Sequence, residues 1–127
     1  MRRCVNERLL ENARILVVDD ELLIALDLEA MFREAGADVV GPCTTLATAL
    51  QAAATEILSG AMLDISLGRE TTEKVAELLA ERGIPFMFYS GHAATAPLPP
   101  VAQNAHVIAK PAEEGVLVRA AARLIGR

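Results

Sequence analysis

The sequence contains no tryptophan, one tyrosine and three phenylalanines in 127 residues. A core must therefore be assembled from Ala, Leu, Ile and Val, which suits buried strands packed by helices. Basic residues form no block: the twelve Lys and Arg are scattered, and the net charge is -5. Binding to nucleic-acid phosphates needs clustered cations, so the expected partners are proteins, not nucleic acid. No apolar run approaches the roughly 20 residues that span a bilayer, and Met1 to Leu10 lacks the long apolar segment of a secretion signal. A cytoplasmic chain with no membrane partner is expected. Cysteine is almost absent, and Cys4 and Cys43 show neither metal-type spacing nor a second pair, which fits a reducing compartment and excludes a disulfide scaffold.

What is present is an alternation of short apolar runs with helical periodicity. Residues 1–12 are polar and mixed in charge and read as a flexible tail, leaving 13–127 as one domain. Ile15-Leu16-Val17-Val18 is a β-branched run suited to a strand buried on both faces, and it stops at Asp19-Asp20. Glu21 to Ala35 follows with Ile24, Leu28, Met31 and Ala35 on one helical face and Gly36 as a stop. Asp38 to Gly41 predicts a second strand ending before Pro42, and Thr44 or Thr45 can cap a helix carrying Leu46, Ala49, Leu50 and Ala53. Ala61-Met62-Leu63 leads into Asp64, and after a loop Thr71 to Arg82 predicts a helix closed by Gly83. Pro85 to Tyr89 reads as a strand ending at Ser90-Gly91, and His106 to Ala109 as another ending at Lys110-Pro111. Between them Pro97, Pro99 and Pro100 shorten or break any helix. Glu113 to Ile125 predicts the last helix.

Strands alternating with helices imply right-handed crossovers and a doubly wound parallel sheet covered on both faces. Ligands of such sheets lie beyond the carboxyl ends of the strands. By that rule Asp19, Asp20, Asp64, Ser90 and Lys110, all at strand ends, share one pocket. Three carboxylates held together repel one another and need a shared proton or a divalent cation. Magnesium is the natural choice, since it takes oxygen ligands, often one or two carboxylates beside a phosphate. Beside the cation a carboxylate can act as nucleophile toward a phosphoryl group, whose oxygens Lys110 and Ser90 would receive.

The set Val17-Val18-Asp19-Asp20-Glu21, Met62-Leu63-Asp64, Tyr89-Ser90-Gly91 and Lys110-Pro111 resembles the signature of response-regulator receiver domains over Ala13 to Ile125. The resemblance implies a five-stranded flavodoxin-like α/β fold of order 2-1-3-4-5, here with a short or irregular fourth helix. It implies that Asp64 accepts phosphate from a histidine kinase or histidine phosphotransfer protein. It further implies that Asp20 binds Mg2+ directly and Asp19 through water, that the Ser66 backbone carbonyl adds a ligand, and that Ser90 and Lys110 hold the phosphoryl oxygens. A cis peptide at Lys110-Pro111 also follows from it.

Three positions depart from the family pattern. Gly68 stands where Pro is usual, which predicts a more mobile loop. Val107, next to His106, replaces the usual switch aromatic, and the prolines weaken the helix that many relatives use for output. The expected role is a phosphorylation switch acting on an unknown downstream protein, not a turnover enzyme. A receiver fold that binds partners without phosphorylation is the alternative. An aspartyl phosphatase is disfavoured because Ser66 stands where such enzymes usually carry a second acid. His92 and His106 lack a third ligand at suitable spacing. Leu22, Leu26 and Ala30 make a second apolar strip on the first helix, read either as a wide buried face or as a docking strip for the phosphodonor's helices.

Overall fold

The computed structural model describes residues 8–91 and 105–127. Its main sheet is built from β1 (Arg14–Val18), β2 (Asp38–Cys43), β3 (Gly60–Leu63), β6 (Phe86–Ser90) and β7 (Val107–Ala109), all parallel, in the order β2-β1-β3-β6-β7. Two two-residue strands, β4 (Ser66–Leu67) and β5 (Glu70–Thr71), pair separately as an antiparallel hairpin. Leaving that hairpin aside, the order is the 2-1-3-4-5 anticipated above.

Period-two alternation along the central strands divides the core in two. Ile15, Val17, Met62, Met87 and Tyr89 face one side, where α1 (Leu22–Glu34) contributes Leu28 and Phe32 and α4 (Glu114–Leu124) contributes Leu117, Val118 and Ala121. Leu16, Val18, Ala61, Leu63 and Phe88 face the other, covered by α2 (Leu46–Thr55) with Ala49, Ala52 and Ala53 and α3 (Glu73–Glu81) with Val75, Ala76 and Leu79. Alanine is common in these contacts because both strand faces must be covered closely with few aromatic rings. The result is the doubly wound α/β architecture.

Three expectations change. Arg8–Asn12 do not behave as a tail: Leu10 is fully buried, its amide donates to the Ala35 carbonyl, and Arg127 Nη1 donates to the carbonyls of Leu9 and Glu11. One leucine filling the space under α1 ties this segment down. Strand β2 runs on through Pro42 to Cys43, because it is an edge strand and one of its sides needs no amide donor. The segment after Asp64 is the hairpin, not a plain loop, with α3 beginning only at Glu73. The expected short fourth helix falls on residues 92–104, outside the described residues. Elsewhere the elements match the sequence reading to within a residue or two, including a Thr45 hydroxyl that accepts from the Thr48 amide at 3.2 Å to cap α2.

Candidate functional site

Strand β1 ends where its apolar run meets Asp19, and β3 ends at Asp64. Both carboxylates are buried, at 1% and 5% exposure, while Asp20 beside them is exposed. One oxygen from each of Asp19, Asp20 and Asp64 lies within 4.8 Å of the others. Lys110, just past β7, extends into this group: its Nζ is 2.9 Å from Asp19 Oδ2, 3.1 Å from Asp64 Oδ2 and 3.0 Å from Glu21 Oε1. A cavity of about 240 Å³ over the strand ends is lined by Asp20, Glu21, Asp64, Ser66, Gly68, Gly91 and Lys110.

Of the residues singled out in the sequence, Asp19, Asp20, Asp64 and Lys110 meet at this rim, and Ser66 lines it. Ser90 ends β6 at the same rim, fully buried, with its carbonyl accepting from the Lys110 amide and Gly91 lining the cavity beside it. The Lys110–Pro111 peptide is cis, as is Gly41–Pro42. Of the histidines, His106 is exposed and His92 lies outside the described residues. Cys43 is buried and free, its thiol pushed up by that burial, and Cys4 is also outside the described residues. Val107 is half-buried against the α2–α3 side of the core.

Sequence reasoning passed over three groups. Glu21 adds a third carboxylate to Lys110, and only its place after the acidic pair hinted at this. The Gly68 amide donates to Asp20 Oδ2 at 2.6 Å, so the glycine expected to loosen the loop instead supplies a hydrogen bond that proline could not. Thr72, buried, donates its hydroxyl to the Asp64 carbonyl at 2.6 Å.

The electrostatics follow from crowding. Burial raises the Asp19 carboxyl above its usual range; the Lys110 ammonium and the Glu21 amide pull against this, and the Asp64 charge adds to it. Burial alone would lower Lys110, but the neighbouring carboxylates of Asp19, Glu21 and Asp64 outweigh it and hold the amine firmly protonated. Lys110 and Asp19 Oδ2 are at ion-pair distance but poorly aligned, so this buried oxygen has no hydrogen-bond partner among the described residues. Four carboxylates in the group, three of them on the one lysine, leave a net negative charge. The orphaned oxygen and the all-oxygen donor set fit a hard divalent cation, with Asp19, Asp20 and Asp64 as its carboxylate ligands. Behind the lysine stem, Tyr89 is buried with its ring centroid 5.6 Å from Lys110 Nζ, and its hydroxyl accepts from the Ala112 amide at 3.0 Å.

No protein-family model matches the sequence. No curated protein matches it either. Solved structures do. A response regulator receiver protein from Sinorhizobium medicae is 26% identical, with a TM-score of 0.75 over 91% of this chain and 96% of that one. The receiver domain of PhyR from Erythrobacter litoralis is 23% identical, with a TM-score of 0.74 over 91% of both chains. The receiver domain of a sensor histidine kinase from Pseudomonas aeruginosa, solved with a magnesium ion coordinated in its active-site cleft, is 21% identical with a TM-score of 0.80, over 91% of this chain and 99% of that one. Strand order, core layout and these likenesses agree: the chain has the five-stranded parallel α/β fold of response-regulator receiver domains.

Proposed function

We propose that the chain is a magnesium-dependent phosphoacceptor of two-component signalling, taking a phosphoryl group on Asp64 from a histidine kinase or histidine phosphotransfer protein. The observation that carries this is a buried carboxylate, Asp64, held 3.1 Å from a protonated lysine inside an acid cluster that has one buried oxygen unsatisfied. The magnesium-bound receiver domain from Pseudomonas aeruginosa has the same fold. Bound magnesium would supply the positive charge that lets an anionic phosphoryl group approach an anionic nucleophile.

The residues divide the work by position. An Asp64 carboxylate oxygen forms the bond to phosphorus as the phosphorus–nitrogen bond of the donor's phosphohistidine breaks. The imidazole keeps the bonding pair and takes up a proton from solvent. Lys110, already charged, turns from the carboxylates to the incoming oxygens. Ser90 and the Ser66 carbonyl complete the phosphoryl and cation contacts in this reading. The modified chain is a switch on protein binding and not a turnover enzyme, and it works in the cytoplasm beside its donor.

Leu22 and Leu26, at 59% and 45% exposure, together with exposed Ala30, form an open strip on α1 that rules out the wide buried face. Leu23, at 79%, extends it. In the proposed role this strip receives the helices of the phosphodonor protein. Replacing Leu22 and Leu26 with Ser slows transfer from that protein while leaving reaction with a small phosphodonor intact.

The deciding experiment incubates the folded chain with acetyl phosphate and Mg2+ and follows intact mass. Wild type gains one phosphoryl group and Asp64→Asn gains none. A folded wild type that stays unmodified rejects the proposal in favour of a phosphorylation-independent binding module, the reading favoured by Val107 standing where relatives carry the coupling ring.

A further inference from the structure

Thr72 directly precedes α3, where a threonine side chain ordinarily caps the helix by accepting from its first amides. Here it makes no cap hydrogen bond. The side chain is 1% exposed, and its hydroxyl donates backwards, to the Asp64 carbonyl at 2.6 Å with a longer approach of 3.4 Å to the Ile65 carbonyl. Its amide donates to the same Ile65 carbonyl at 3.0 Å. Both donors of one residue thus tie the base of the β4–β5 hairpin to the end of β3.

The tip of the hairpin is tied to the end of β1. Gly68, at φ +62, turns its amide onto Asp20 Oδ2 at 2.6 Å. No atom lies within 4 Å of where a Cβ would stand, so glycine serves the left-handed backbone angle and not a close approach. Six residues, Ser66 to Thr71, therefore span two strand ends, with Asp64 at one anchor and Asp20 at the other.

We infer that Thr72 is a positioning residue: by anchoring this hairpin on the Asp64 backbone, with the Gly68 amide holding Asp20, it sets the two carboxylates at a separation that one divalent cation can bridge. The inference rests on reading the acidic cluster as a cation site, but it does not require that Asp64 be phosphorylated. Groups that orient metal ligands from behind act on affinity without touching the metal.

The test titrates Mg2+ alone into metal-free protein by calorimetry, well below the thermal transition of each variant. Thr72→Val keeps the shape and removes the donor, and it should raise the magnesium dissociation constant about tenfold or more. Thr72→Ser restores the donor and should recover most of that loss. A hydroxyl that only closed a turn would lower the melting temperature in the valine variant and leave magnesium affinity unchanged; that result overturns the inference, as does a serine variant as weak as valine. Should the valine variant fail to fold, wild type decides by NMR. The Thr72 hydroxyl proton should exchange slowly enough to be observed and should shift when Mg2+ is added, and a hydroxyl resonance indifferent to the cation overturns the inference. If magnesium binds as expected while acetyl phosphate leaves Asp64 unmodified, the proposed function fails and the positioning role stands.

Discussion

Each end of the sheet sets a buried or half-buried cation among carboxylates, and the two clusters are built to different ends. At the amino ends of the strands, Arg14 bonds Asp38, Glu56 and the Ile57 carbonyl, joining β1, β2 and the end of α2. Its carboxylate partners are 55% and 43% exposed, so solvent screens the pair and neither acid is forced to carry an uncompensated charge. At the carboxyl ends, Lys110 is 9% exposed among carboxylates of which two are nearly inaccessible, and one oxygen of Asp19 is left without a hydrogen bond. A planar guanidinium with several donors satisfies its neighbours, whereas a single ammonium among four acids does not. The amino-end cluster is a clamp. The carboxyl-end cluster holds a charge deficit that a ligand can relieve.

Four measurements can break or sharpen that contrast. Lys110→Ala should lower the rate of phosphoryl uptake from acetyl phosphate by about a hundredfold or more, read by intact mass against time. Saturating Mg2+, at about a hundred times its dissociation constant, should stabilise wild type by ~2.7 kcal/mol in urea unfolding; no shift of the urea midpoint would mean that the carboxyl-end cluster is merely structural. Asp19→Asn removes the acid that burial most disfavours as a charge, so without metal at neutral pH it should unfold at higher urea, by on the order of 1 kcal/mol, and lose most of the magnesium effect. Arg14→Met should cost about 1 kcal/mol or less and leave magnesium binding untouched. An Arg14 variant that bound magnesium poorly would erase the distinction between the two ends.

How much of this was legible in the sequence depended on whether the signal was local. Asp19, Asp64, Ser90 and Lys110 each stand where a short apolar run stops, and a parallel sheet converts those stops into one rim. The burial of Ile15-Leu16-Val17-Val18 on both faces was equally readable, as the two core clusters bear out. Leu10 was not, because an adjacent Leu9-Leu10 pair in a charged segment has no periodicity, and the burial of Leu10 depends on a space that exists only once α1 has packed. The extension of β2 through Pro42 depends on edge position, a property of the whole sheet. The hairpin escaped because two-residue strands carry no pattern. Thr72 escaped because its hydroxyl serves a carbonyl eight residues back instead of the helix it precedes.

Tyr89 bears on the timing of the proposed chemistry. Its ring lies beside the Lys110 ammonium, and its hydroxyl holds the amide of Ala112 two residues beyond that lysine. A lysine freezing from a fully mobile state loses ~2 kcal/mol of rotamer entropy. Here most of that ordering is completed when the chain folds, so in the proposed role an arriving phosphoryl group would meet an amine already held at the pocket and need not recruit one from solution.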